Sequence, residues 1–142
     1  MLSPAREKRL LQCVIAIACT VPIGGGLHGI IEGAPAGNAT LDSHIRYLSG
    51  LLCAIGIGFL STIPAIERHT ARIGLLTLIV CFGGACRLLG FFLAGWPGHA
   101  MVAALCMELV VTPLICLWQG RLAKRFRQAE SHDSLAVATR SH

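Results

Sequence analysis

Charge is scarce in this chain: Asp, Glu, Lys and Arg together make up 13% of 142 residues, while 54% are hydrophobic and mean hydropathy is +0.68. A soluble domain carries nearer 25% charge, so the composition excludes an ordinary soluble enzyme fold. Paired cysteines are also missing. The seven cysteines, Cys13, Cys19, Cys53, Cys81, Cys86, Cys106 and Cys116, are odd in number, lie inside apolar runs and form no C-x-x-C. Neither a disulfide framework nor a zinc site is expected from them; they read as small hydrophobes in helix packing. The chain also lacks H-E-x-x-H, G-K-[ST] and G-x-S-x-G. These would have pointed to a metalloprotease, a P-loop nucleotide site or a serine hydrolase. The net charge of +5 raises nucleic acid as a partner. The basic residues sit just outside apolar runs, however, where they act as orientation signals and contacts for anionic lipid, so no nucleic-acid partner is expected.

What the sequence does have is long apolar runs. Four of them, near residues 10–31, 46–66, 73–96 and 99–119, each approach the roughly 20 residues needed to cross a bilayer. The expected fold is all-α: an integral membrane bundle of four antiparallel helices filling residues 10–120. A basic tail, 1–9, precedes it, and a basic then disordered tail, 121–142, follows. The first run ends near Ala34-Pro35-Ala36, which resembles a signal-peptidase site. Because that run is long enough to span, it is expected to stay as the first helix. Pro22 should kink it, and Gly25, Gly29 and Gly33 recur at the spacing that lets helices approach closely. Gly50, Ala54 and Gly58 do the same in the second helix, with Asp42 or Ser43 as its N-cap. Ten of the twelve Lys and Arg residues fall in the two tails and the connection around residues 67–72. By the positive-inside rule both termini are cytoplasmic.

Two charges interrupt the later runs. Arg87 lies eight residues before Gly95, and Glu108 lies nine after His99. At 1.5 Å per residue these are depths of about 12 and 13.5 Å from one membrane face. The short turn Trp96-Pro97-Gly98 makes the two helices antiparallel neighbours, so the charges sit level and read as an intramembrane ion pair. An unpaired Arg at such depth costs roughly 2.5–3.5 kcal/mol on insertion scales, so it should face protein or a wet cavity. Arg87 shares its face with Gly83, Gly84, Gly90 and Ala94, which suits a helix interface; Glu108 shares its own with Ala104, Thr112 and Ile115.

On the same topology, His28 and Glu32 end the first helix at the outer face, and Asp42, His44, Arg46 and Tyr47 begin the second. With Arg87 and Glu108 these residues outline a candidate ligand-binding pocket, open outward and closed by apolar packing toward the cytoplasm. A metal held by His28, Glu32 and His44 is not expected, because three donors at unrelated spacing make no recognisable site. Each member also has an ordinary role: a buried Arg–Glu pair fixes helix register, Asp42 caps a helix, and Tyr47, Trp96 and Trp118 are interfacial aromatics.

The segments HGIIEG, LDSHIRYLSG, IPAIERHTAR, FGGACRLLGFFLAGWP and MELVVTPLICLWQGRLAKR resemble an uncharacterised family of small bacterial four-helix membrane proteins, itself distantly similar to DoxX-like proteins. The resemblance covers roughly residues 20–127 and points to Asp42, His44, Arg46, Tyr47, Glu67, Arg68, Arg87, Glu108, Pro113 and Trp118. It implies a bacterial inner-membrane location and assigns no activity and no cofactor. Three functions follow in order of preference. The first is binding of a small molecule or lipid headgroup at Arg87 and Glu108. The second is an accessory subunit that packs against other membrane subunits or its own copies, and the third is proton-coupled transport by a dimer.

Overall fold

A computed structural model describes residues 3–140 of the chain, with side chains described through residue 129 and at Ser131. The described residues form helices and turns with no strand. Helix α1 is Pro4–Glu32, α2 is Ala39–Leu60 and α3 is Thr70–Ala94. The last helical stretch comes in three pieces: α4, His99–Cys106; a π-helical turn, Met107–Val111; and α5, Thr112–Arg140. Among the described residues, four segments are long and apolar enough to cross a membrane: α1, α2 with the turn after it, α3, and α4 through Ala129.

The helices outrun the apolar runs that announce them. Pro4 occupies the first turn of α1, where its missing N–H is not needed, and the Ser3 carbonyl accepts from Arg6 and Glu7. The basic segment expected as a tail is therefore mostly helix, and Pro22 lies inside α1. Helix α2 begins at Ala39, several residues before the expected start. Its N-cap is Asn38, whose side chain accepts the Leu41 N–H, and not Asp42 or Ser43. Pro64 sits in a 3-10 turn, Ile63–Ala65, after α2 has ended at Leu60. In the C-terminal segment, α5 runs on to Arg140 through SLAVATR, which has neither Gly nor Pro to stop it. Residues 141 and 142 lie outside the described ones.

The chain divides into two compact units, Gln12–Pro64 and the remainder on either side of it. In the first, α1 packs on α2 through Gly26 and Gly56. A Cβ on Gly26 would lie 2.7 Å from the Ser49 carbonyl oxygen, and one on Gly56 would lie 2.7 Å from Ile23 Cγ1. Of the glycines expected at this contact, Gly29 is there, where a Cβ would run into the Ser49 side chain, whereas around Gly50 a Cβ meets nothing within 4 Å. In the second unit, α3 packs along the π turn and α5. Its tightest core holds Leu11, Ile66, Ile73, Gln119 and Leu122, all fully buried. Elsewhere large apolar side chains point outward, among them Ile17, Ile31, Leu78, Phe82, Phe92, Leu93 and Leu117. Such a surface is at home in lipid and not in water.

Candidate functional site

Arg87 projects from α3 and Glu108 from the π turn. Arg87 Nε donates to Glu108 Oε2 and Nη2 donates to Oε1, both at 3.0 Å, a two-pronged carboxylate–guanidinium pair. The remaining nitrogen, Nη1, donates to the thioether sulfur of Met101. The pair is not sealed: the side chains are 35% and 17% exposed.

Three local features bring the charges together. Gly84, one turn before Arg87, is buried against the partner segment; a Cβ there would lie 2.9 Å from both Glu108 Cβ and Leu109 Cδ2. Only glycine lets the backbones approach so closely. The second feature is the π turn. The Thr112 N–H donates to the Met107 carbonyl five residues back, and its hydroxyl donates to the same oxygen at 2.8 Å. With the Thr112 N–H taken by Met107 and no N–H on Pro113, neither residue supplies a backbone donor to the Glu108 carbonyl. The third feature fills that gap: the Cys81 thiol on α3 donates to the Glu108 carbonyl at 3.5 Å. The extra residue in the turn also breaks the regular face on which Glu108, Thr112 and Ile115 were expected to align. Cys81, Met101 and Pro113 all shape this centre; composition marks Cys81 only as a packing residue, nothing in the sequence marks Met101, and only the family resemblance singles out Pro113.

The other candidate residues lie in the unit Gln12–Pro64, where Asp42 and Arg46 serve the turn between α1 and α2. Asp42 Oδ1 accepts the Ala34 N–H at 2.9 Å, while Oδ2 accepts from Arg46 Nε at 2.8 Å. Arg46 Nη1 donates to the Ile30 carbonyl and, at 3.5 Å, to that of Ile31, closing the C-terminus of α1. Gly33, at φ +64°, turns the chain out of α1 directly beneath them. His44 Nδ1 lies 2.8 Å from the Thr40 carbonyl of its own helix. His28 and Glu32 are 4.0 Å apart and largely exposed, and Tyr47 is exposed. A shallow, open cavity borders this turn, lined by residues 34–39 and Asp42. Within α1, residues 24–29 read GGGLHG and satisfy G-x-G-x-x-G. They stand mid-helix, without the strand-to-helix turn that a dinucleotide loop needs, and carry no phosphate site. All seven cysteines are free thiols, and among the described residues no group of three His, Cys, Asp or Glu is placed to hold a metal.

Polar contacts also form at the basic end. Because α1 and α5 extend past their apolar runs, flanking polar residues meet there. Glu7 accepts from Trp118 Nε1 at 3.0 Å and pairs with Arg125, so Trp118 is a hydrogen-bonding residue and not only an interfacial ring. Lys8 pairs with Glu67 at 2.9 Å. Gln119, fully buried, donates to the Ile66 carbonyl at 2.7 Å and lies 3.1 Å from Thr70 Oγ1. Burial pushes the Glu67 carboxyl up. Hydrogen bonding with Lys8 and its own backbone, together with the charges of Lys8 and Arg68, outweighs that and holds it below the usual carboxylate range.

Four apolar helices, an outward apolar surface and charges gathered at helix ends define a small multi-pass membrane protein. The chain belongs to the DUF4345 family, a domain of unknown function, whose family model spans residues 10–119. No curated protein and no solved structure matches it.

Proposed function

We propose that this protein sits in a bacterial inner membrane with both termini cytoplasmic and binds a small molecule or lipid headgroup at Arg87. The observation that carries the reading is the state of the guanidinium. One edge is spent on Glu108, while Nη1 has only a thioether, a weak acceptor, and the side chain remains one-third exposed. An intramembrane cation with an unspent edge favours an oxygen ligand. Glu108 holds the guanidinium in place and balances its charge. His28, Glu32, Asp42, His44, Arg46 and Tyr47 are not needed for this reading.

Gly84 favours a second reading, in which the pair only fixes the register of α3 against the π turn. Native mass spectrometry from mild detergent separates the two. A small molecule that co-purifies with the wild type and is absent from Arg87→Met/Glu108→Gln supports binding. Identical spectra from both proteins support the register device.

A further inference from the structure

We propose that the ligand of Arg87 is the uncharged carbonyl oxygen of a membrane-soluble acyl compound, an ester or an amide, and not a phosphate or carboxylate. This rests on the binding reading above and narrows its ligand class.

Charge is the first argument. Arg87 and Glu108 already neutralise one another through two hydrogen bonds. A phosphate or carboxylate arriving at Nη1 leaves a net negative charge in an apolar medium, where uncompensated charge is costly. A carbonyl oxygen accepts the same N–H and adds no charge. It also replaces the Met101 sulfur with a stronger acceptor.

Depth is the second. Arg87 stands seven residues before Ala94, the last residue of α3, or about 10 Å along the axis. Its side chain is drawn toward Glu108, nine residues into the next helical stretch and about 13.5 Å from that end. Phosphates lie at the level of the helix ends, above this centre. The carbonyl of an acyl compound can enter the apolar region with its chain.

Space is the third. Gly83 and Gly90 flank Arg87 at i−4 and i+3 on the same side of α3, and both are exposed. A Cβ at either position meets no heavy atom within 4 Å. The helix surface beside the guanidinium is therefore bare over about two turns, and an alkyl chain fits along it. Gly84, by contrast, is filled by Glu108 and Leu109.

The test uses the full chain in liposomes of ether-linked phosphatidylcholine, which carry no ester carbonyl of their own. Methyl laurate, laurate and dodecyl phosphate are added in equal amounts, bound probe is counted by native mass spectrometry, and the ester carbonyl stretch is followed by infrared spectroscopy. The wild type should retain methyl laurate at least tenfold over either anion and lower its carbonyl frequency. Gly83→Leu/Gly90→Leu fills the bare surface without touching the ion pair, and should weaken ester retention at least tenfold. Unchanged retention by that variant overturns the proposal. Preference for an anion, lost in Arg87→Met/Glu108→Gln, overturns the carbonyl assignment and leaves the binding reading standing. If no probe is held better by the wild type than by that double mutant, both fall.

Discussion

The Cys81 thiol and the Glu108 backbone carbonyl are hydrogen-bonded across two helices, 3.5 Å apart. The bond exists because the π turn sends the Thr112 N–H to Met107 and Pro113 has none to offer. It fixes the main chain of the residue whose carboxylate holds Arg87, so backbone and side chain of Glu108 are both anchored to α3.

Removing this donor should therefore be felt. Cys81→Ala removes a hydrogen bond to a half-buried carbonyl, and such a loss costs about 1 kcal/mol. Cys81→Ser keeps a hydroxyl donor at the same position and should lose less. Equilibrium unfolding in mixed micelles measures the difference. An alanine variant as stable as the serine one would remove the thiol from the account of the site.

The glycines of α3 should respond in opposite directions. Gly84→Ala places a methyl group 2.9 Å from Glu108 Cβ and Leu109 Cδ2, and overpacking of this kind costs about 1–3 kcal/mol. Gly74→Ala meets nothing within 4 Å, and replacing a helical glycine there should gain about 0.5–1 kcal/mol. Both are read in the same unfolding assay. Equal effects would mean that α3 does not approach the π turn closely at Gly84.

Much of this centre is legible in the sequence, and the reason is geometric. Helix rise and a four-residue connection place two lone charges level, and the pair Arg87–Glu108 follows from counting. Apolar length identifies the spans equally well, but not the helices. Hydropathy records where lipid is, whereas the backbone bonds of α1 and α5 continue into the basic flanks. For that reason the Glu7–Trp118–Arg125 and Lys8–Glu67 contacts were not foreseen. The same cause hides Asn38 as a cap: it precedes an apolar run that begins later than the helix does. The π turn was hidden differently. Its only local sign is a proline five residues after Glu108, which deletes one donor without stopping the helix.

The Lys8–Glu67 pair gives a pH dependence whose sign is fixed. Glu67 titrates below its ordinary value in the folded chain, so protonation favours the unfolded state. Its stabilisation is complete above the unfolded carboxylate value, about 4.3, and is lost as pH falls through the lower folded value. Lys8→Ala removes the partner, so its stability deficit should be constant between about pH 6 and 8 and shrink below about pH 4. A deficit that grows on acidification contradicts the assigned direction.

Topology is open to direct measurement. Ten of the twelve Lys and Arg residues flank the ends that hold the N-terminus, the turn after α2 and the end of the last span. Reporter fusions after His69 and after Gly120 should read cytoplasmic, and one near Asn38 periplasmic. The reverse pattern would turn the membrane face nearest Arg87 toward the cytoplasm.

The ion pair itself is best tested by a complete mutant cycle. Arg87→Met strands a carboxylate and Glu108→Gln strands a guanidinium, so each single change should destabilise the detergent-solubilised protein. A sealed pair would lose about 3–5 kcal/mol on either change. Here the guanidinium is 35% exposed, and stranded groups in membranes find water or other partners. The expected single losses are therefore nearer 1–2 kcal/mol. The double mutant should recover part of the combined loss, because neither charge is left behind. A coupling of roughly 0.5–1.5 kcal/mol by unfolding in mixed micelles is the expected result. Strictly additive losses would show that the two side chains do not interact in the folded protein, which removes both the register device and the neutral centre on which ligand choice depends.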